Sequence, residues 1–125
     1  MAPDDLDRLR HIRDAGLQAM NAVAGKRRGD LDRDALLGHA IVRLLEIVGE
    51  ASNGISVPLR LAYPDIPWVK MIAMRHRLIH GYFDVNMELV WRALTDELPP
   101  IMKRMETVIA EIERDPKSNF RADGP

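Results

Sequence analysis

The amino-acid sequence predicts an all-α protein, an antiparallel bundle of four long helices plus a short one. Three observations predict this class. Apolar residues recur at intervals of three and four, aromatic residues make up only 5% of the chain, and glycine accounts for 8 of its 125 residues. The length and the 46% hydrophobic content are typical of a single domain with one core. We assign residues 1–115 to this helical domain and residues 116–125, which show no periodicity, to a flexible C-terminal tail.

Charge and composition exclude several classes of protein. The 18 basic and 19 acidic residues leave a net charge of −1, so no overall basic field attracts nucleic acid. The absence of cysteine excludes disulfides, cysteine-ligated metal sites and a thiol nucleophile. Arg43 and Glu46 interrupt the most hydrophobic stretch, and the charged N-terminus does not resemble a signal peptide. We therefore expect a cytoplasmic protein without a membrane span.

Two long helices are predicted before residue 52. One face of the first helix carries Leu6, Leu9, Ile12, Gly16, Met20 and Val23. The segment Gly25–Asp30 is expected to be a loop whose glycines end this helix, with Asp30 or Asp32 as the cap of the next one. The second helix is predicted over Leu31–Ala51. Its core-facing residues are expected to be Leu37, Ile41, Leu44 or Leu45, and Val48.

Prolines and capping residues divide the middle of the chain. Between Ser52 and Pro67 the sequence predicts a short helical turn followed by an extended connection, with Ser52 and Ser56 as caps. Pro67 suits the first turn of a third helix, where its missing N–H costs nothing. This helix is expected to run to His80, with Gly81 as its left-handed stop.

The last predicted helix contains a proline pair. Asp84 or Asn86 is expected to cap it, and its first part is predicted over residues 87–97. Pro99-Pro100 must kink or restart the helix before residues 101–114, because neither proline can donate a hydrogen bond in a helix interior.

The segment Met71–Phe83 contains the candidate functional residues. Arg75 follows Trp68 and Ile72 at helical spacing, so it is predicted to lie in an apolar stripe. A charge there is costly unless it meets a partner or lines a cleft. His80 follows Arg75 by five residues, which is about 140° around an ideal helix. The two side chains can meet one ligand only if the helix loosens near its end or if two chains contribute.

Structural and metal-binding interpretations of these residues stay open at this point. Arg75 could form an interhelical salt bridge with Glu46 or Glu50. His76 and His80 have the four-residue spacing of metal ligands, although no cysteine or nearby carboxylate completes a set. The second predicted helix carries a polar stripe of His39, Arg43, Glu46 and Glu50. This stripe could be a solvated face or the wall opposite Arg75.

The motif Arg75-x4-His80-x-Tyr82 resembles the R-x4-H-x-Y motif of HepT-like toxins, the DUF86 family within the HEPN superfamily. Three segments resemble the family in the same order: LEIVGEA at 45–51, YPDIPW at 63–68 and RLIHGYF at 77–83. The resemblance covers about residues 4–114, and three motifs in order are more specific than R-x4-H alone. Two positions depart from the family, which commonly has asparagine where this chain has His76 and often has asparagine where it has Leu44.

The resemblance implies a HEPN-type bundle that dimerises and acts as a metal-independent endoribonuclease, the toxin of a toxin–antitoxin pair. Its substrate is RNA, and it needs no cofactor. Arg75 and His80 are the implied catalytic residues, while His76, Arg77 and Tyr82 are implied to support them and to position the substrate. The cleft between two chains holds both copies of the motif. The implied antitoxin is a minimal nucleotidyltransferase (MNT) that adds AMP to Tyr82.

These side-chain types suit RNA cleavage. RNA supplies its own nucleophile, the 2′-hydroxyl, so the reaction needs neither an enzyme nucleophile nor a metal. A histidine can move protons at the 2′-oxygen and at the leaving 5′-oxygen near neutral pH. An arginine offers fixed positive charge where negative charge develops on the phosphorane.

Two other classes of function stay open. In the first, the chain is a non-catalytic helical partner or regulatory module of a nucleotidyltransferase, in which Arg75 and His80 hold the interface or receive a nucleotide. The Arg75→Ala variant separates this hypothesis from the ribonuclease, since only the module would lose partner binding. In the second, the chain is a purely structural helical dimer, which gives no reason for an arginine in the stripe.

Overall fold

The computed structural model describes residues 2–78 and 84–114 of the chain and is all-α, as the sequence predicts. Its α-helices are α1 (Asp5–Ala22), α2 (Arg28–Arg33), α3 (Ala35–Asn53), α4 (Val57–Ala62), α5 (Trp68–Ile72), α6 (Met74–Leu78), α7 (Met87–Arg92) and α8 (Leu98–Arg114). A π-helical segment, Ala93–Glu97, joins α7 to α8. No strand longer than a single bridged residue occurs in the two described ranges. The predicted tail 116–125 lies outside them.

The short helix α2 occupies part of the segment that was predicted to be a loop. Its first turn is closed by the Asp30 carboxylate, which accepts a hydrogen bond from the Arg27 N–H at 2.8 Å. The cap of α3 is Asp34, whose carboxylate accepts a main-chain N–H three residues later at 3.1 Å. The prediction of Asp30 or Asp32 as this cap was therefore wrong. A glycine turn after α1 is confirmed at Gly25, where φ is +76°.

Serine and asparagine caps begin two of the later helices. The Ser56 hydroxyl accepts a hydrogen bond from the Leu59 N–H at the start of α4, at 3.4 Å. Asn86 caps α7 in the same way at 3.1 Å, and both caps are confirmed. Ser52 was wrongly predicted to be a cap, because it lies inside α3 and donates its hydroxyl proton to the Val48 carbonyl at 2.6 Å.

The proline pair produces the π-helical segment rather than a break in the chain. Pro99 and Pro100 lie in the first turn of α8 and donate no hydrogen bond, so the carbonyls four residues before them have no α-helical partner. The Leu98 N–H instead donates to the Ala93 carbonyl, five residues earlier. The predicted kink or restart is confirmed as a change from α to π and back to α.

The core is built where α1 packs between α3 and α8, while α3 also packs against α5 and α6. The largest fully buried side chains include Leu9 and Ile12 of α1, Ile41 and Leu45 of α3, and Met102 and Met105 of α8. Gly16 allows the close approach of α1 to α8, because a Cβ there would lie 2.3 Å from the Met102 sulfur. The prediction of Gly16 on the core-facing side of the first helix is confirmed.

The buried carboxylate of Asp5 ties the start of α1 to the start of α4. Asp5 is fully buried, and it accepts hydrogen bonds from the Ser56 N–H at 3.0 Å and the Ser56 hydroxyl at 2.5 Å. The Ala2 N–H donates a third at 3.0 Å. These bonds replace the hydration that a buried carboxylate loses.

The connection 63–67 lies against α8 and positions α5. The Trp68 indole N–H donates to the Tyr63 carbonyl at 3.0 Å, and the Tyr63 hydroxyl donates to Glu111 of α8 at 2.9 Å. Burial and this hydrogen bond raise the pKa of Tyr63 to about 12. Arg104 lies 5.4 Å from the centre of the Tyr63 ring and pairs with Asp65 at 2.6 Å. The connection is thereby fixed at both ends.

Candidate functional site

An open groove of about 600 Å³ lies between α3, α4 and the two short helices α5 and α6. We call it the Arg75 groove. Its polar lining residues are Glu46, Glu50, Asn53, Arg60, Arg75 and His76. Gly49, Val69, Ile72 and Ala73 supply its apolar lining. The groove therefore contains two of the candidate site residues, Arg75 and His76, together with both glutamates that the sequence offers as partners of Arg75.

A break in the third predicted helix determines which side chains face this groove. The helix is interrupted at Ala73, so α5 and α6 are separate. Trp68, Met71, Met74 and Leu78 face the core, at spacings of three, three and four. The predicted stripe is therefore divided, because Trp68 faces the core whereas Ile72 and Arg75 line the groove. The Arg75 side chain is 54% exposed and lies on the groove side.

Arg75 is oriented by a glutamate of α3. Its Nε–H donates to Glu46 Oε2 at 3.2 Å, and Glu46 is only 23% exposed. The interhelical salt bridge with Glu46 is thus confirmed. Within residues 2–78 and 84–114, neither Nη atom of Arg75 has a hydrogen-bond partner. A ligand in the groove can therefore use the outer edge of the guanidinium while Glu46 holds the inner edge.

The polar stripe of α3 forms the wall opposite Arg75. Besides Glu46, Glu50 lines the groove and pairs with Arg43 at 3.4 Å. His39 lies on the same helix and is exposed, outside the groove lining. Of the two interpretations of this stripe, the wall is confirmed for its two glutamates.

The two residues that follow Arg75 diverge. His76 is exposed and lines the groove beside Arg75. Arg77 is partly buried and does not line it, since its Nη2 donates to both oxygens of Glu97, at 2.9 and 2.8 Å. Glu97 also pairs with Lys70 at 3.6 Å and lines a second groove, of about 490 Å³, beside the π-helical segment. Arg77 thus joins α6 to the segment before α8.

The ion pairs of Glu97 make its contribution to stability depend on pH. Burial alone would raise the pKa of Glu97, but the hydrogen bond from Arg77 and the charges of Arg77 and Lys70 outweigh it and hold this pKa below the ordinary 4.5. The stabilisation is therefore complete above the unfolded-state pKa. It is lost as the pH falls through the folded-state pKa.

We expect the Glu97→Gln variant to be less stable than the wild type by about 1 kcal/mol near neutral pH, because it loses this charged contact. The difference should shrink as the pH falls below about 4.5. Urea unfolding of both proteins across this range measures it, with the exposed Glu88→Gln as the control. A free-energy difference that stays constant down to about pH 3 would show that the charge of Glu97 contributes nothing.

The other half of the sequence motif lies outside the described residues. His80, Gly81 and Tyr82 all fall in the gap between residues 78 and 84. The stop at Gly81, the helical pairing of His76 with His80, and the convergence of His80 with Arg75 therefore remain predictions.

Arg60 and Asn53 also line the Arg75 groove, although no pattern in the sequence indicates them. Asn53 ends α3 and Arg60 lies on the six-residue helix α4. Ser56 indicates the start of α4, but one and a half turns are too short for a periodicity that would show which way Arg60 points. Only tertiary packing brings these residues to Arg75.

Within residues 2–78 and 84–114, no three or more His, Asp or Glu side chains come together as metal ligands would. None of the helices found there has the length and apolar character needed to cross a bilayer.

The chain is similar to known proteins over most of its length. The family model described as "Ribonuclease HepT-like" matches residues 6–108. A protein of Caldanaerobacter subterraneus subsp. tengcongensis, named as a candidate RNase, is 33% identical over 101 residues, which are 81% of this chain and 90% of the relative. A "Probable ribonuclease HepT" of Thermococcus cleftensis is 39% identical over 67 residues, 54% of this chain and 61% of the relative. No solved structure matches the chain significantly.

Proposed function

Since the chain belongs to the HepT-like ribonuclease family, we propose that it is an endoribonuclease toxin that cleaves RNA in the Arg75 groove. One observation carries this proposal. Arg75, the first residue of the R-x4-H-x-Y motif, is exposed on the groove wall with its Nε held by Glu46, and neither of its Nη atoms bonds to any of the described residues. A guanidinium in this arrangement can donate two parallel hydrogen bonds to a phosphate.

The proposed reaction uses the 2′-hydroxyl of the RNA as nucleophile. This oxygen attacks the neighbouring phosphorus, the bond to the 5′-oxygen breaks, and a 2′,3′-cyclic phosphate and a 5′-hydroxyl are formed. Arg75 stabilises the negative charge that develops on the phosphorane, and His80 transfers the protons at the two reacting oxygens. His76 lies beside Arg75 and can position the substrate or carry a second proton. No step requires a metal or a cofactor.

The functional unit in this proposal is a homodimer. Two chains that bring their motif segments together place two copies of Arg75 and of His80 in one cleft, so one phosphate can be held by Arg75 of one chain and reached by His80 of the other. The proposed antitoxin is an MNT protein that adds AMP to Tyr82. The added nucleotide would fill the mouth of the cleft, and its phosphate would compete with RNA for the arginines.

Expression in a host without the antitoxin tests the toxin function. We expect the wild-type chain to arrest growth and to fragment cellular RNA, whereas the His80→Ala chain does neither. Protein carrying AMP on Tyr82, verified by intact mass, is expected to permit growth. The His11→Ala variant is the matched control, because His11 is an exposed histidine of α1 outside the groove.

Three outcomes would contradict the proposal. Equal growth arrest by the wild type and the His80→Ala variant would show that the arrest does not depend on the motif. Growth arrest by the AMP-carrying protein would show that AMP on Tyr82 does not neutralise the toxin. A bare, folded wild type that spares RNA but still binds the nucleotidyltransferase would favour the non-catalytic module instead.

A further inference from the structure

We infer that Arg60, which lies outside the sequence motif, binds RNA in the Arg75 groove by holding a second backbone phosphate. This inference rests on the proposed function for its ligand. Arg60 lies on α4 and lines the same groove as Arg75 and His76, although 15 residues separate it from Arg75 in sequence. The groove therefore presents two guanidinium groups from different helices.

The Arg60 side chain is held in place by main-chain oxygens rather than by a carboxylate. Its Nη2 donates to the carbonyl of Asn53 at 3.0 Å and to that of Ser52 at 3.4 Å, at the carboxyl end of α3. Its Nε is buried and has no partner within the described residues. A guanidinium anchored by Nη2 is already oriented, so binding a phosphate through Nη1 costs little further side-chain entropy.

Of the two arginines among the described lining residues, Arg60 is the one without a carboxylate partner. Glu46 neutralises Arg75 at 3.2 Å, and Arg43 neutralises Glu50 at 3.4 Å. In the part of the chain that the structure describes, no carboxylate lies within ion-pair distance of Arg60. An incoming phosphate can therefore pair with Arg60 without competing with a carboxylate for its charge.

A phosphate contact of this kind positions RNA and takes no part in the chemistry. Arg60 should therefore affect the affinity and the KM of the reaction more than its kcat. A purely structural role, closing the end of α3, would affect thermal stability and leave the affinity of the folded protein unchanged. These two roles can be measured separately.

The test measures binding of a fluorescent, fully 2′-O-methylated RNA oligonucleotide by anisotropy at several salt concentrations, since this probe binds but cannot supply the nucleophile. We expect Arg60→Gln to weaken binding about tenfold, the effect of one charged hydrogen-bonded contact. The slope of log affinity against log salt should fall by about 0.7, as for one lost phosphate contact with a single strand. Arg60→Lys should recover part of the affinity. With cleavable RNA, Arg60→Gln should raise KM, while its kcat stays within about threefold of the wild-type value.

Arg8→Gln is the matched control. Arg8 lies on α1, and its partly exposed side chain reaches Gly54 at the carboxyl end of α3, but it does not line the groove. Its replacement should leave RNA affinity unchanged. A second measurement needs no variant of Arg60: the oligonucleotide should slow phenylglyoxal modification of Arg60 in the wild-type protein, and not that of Arg92 on α7, located by mass spectrometry.

Wild-type affinity in Arg60→Gln, or equal modification of Arg60 with and without RNA, would overturn the inference. Should Arg60→Gln fail to fold, the modification experiment decides. Wild-type protein that binds the probe through Arg60 but leaves cleavable RNA intact would sustain this inference and contradict the ribonuclease. A wild type that cleaves RNA but does not bind the probe would overturn this inference and leave the proposed function standing.

Discussion

Replacing Arg75 with alanine is expected to lower the rate of RNA cleavage by about a hundred- to a thousandfold, the usual effect of removing one donor that stabilises a developing charge. The loss should appear in kcat as well as in kcat/KM, because the guanidinium is proposed to act on the phosphorane more strongly than on the substrate. The helices should stay folded. Arg75 is 54% exposed, and its pair with Glu46 contributes under about 1 kcal/mol at such a site.

The Arg92→Ala variant is the matched control for this experiment. Arg92 is 61% exposed and also pairs with one glutamate, Glu88, at 3.5 Å, but it lies on α7 outside the groove. Both variants remove one exposed, paired arginine and change the net charge equally. Equal cleavage by both would show that Arg75 has no role beyond its charge, and circular dichroism with thermal unfolding verifies that each variant is folded.

The Gly49→Val variant is expected to be less stable than the wild type by about 1–3 kcal/mol, the usual cost of overpacking a tight contact. Gly49 lies where α3 meets the end of α5. A Cβ at this position would come within 3.2 Å of the Met71 carbonyl oxygen and 3.5 Å of that of Ile72. These are main-chain atoms and cannot rotate away, so the two helices must separate to admit the valine.

The same substitution should impair cleavage in the protein that remains folded. The displaced carbonyls belong to α5, directly before the break at Ala73 that directs Arg75 into the groove. A shift of about 1 Å at a catalytic group can lower a rate by about a hundredfold. Urea unfolding measures the stability, and cleavage under conditions where the variant is fully folded measures the activity.

The Gly29→Val variant controls for the effect of placing a valine in a helix, apart from the contact that Gly49 makes with α5. Gly29 also lies in a helix, α2, but a Cβ there would meet only the Arg33 side chain, at 3.4 Å, which can move away. Its replacement should change stability by less than about 1 kcal/mol. Equal destabilisation by the two valines would mean that helix propensity, rather than the contact of α3 with α5, explains the result.

The sequence was sufficient to predict the helical class and the features that depend on nearby residues. The caps Ser56 and Asn86 follow from side chains that accept a main-chain N–H three residues later. The irregular turn before Pro99-Pro100 follows from their missing donors. These features need no information about the rest of the fold. Glu46 as a partner of Arg75 was one of two candidates that helical spacing allowed.

The features that the sequence did not predict depend on packing between distant segments. Ala73 is a strong helix former, so nothing local indicates that the helix is interrupted there. The interruption changes the face on which Arg75 lies, and this explains why the apolar stripe was predicted one position out of register. Arg60 joins the groove only because α4 folds back over the end of α3. Its role could not be inferred from a helix of six residues.

The sharpest test of metal-independent cleavage by the motif is to incubate RNA with the bare wild-type protein in EDTA and to identify the ends of the products. We expect cleavage to persist in EDTA and to leave 2′,3′-cyclic phosphates and 5′-hydroxyls. The His80→Ala protein, purified in parallel, should leave the RNA intact. Cleavage that stops in EDTA, that leaves 3′-hydroxyl ends, or that proceeds equally with His80→Ala would rule out the proposed mechanism.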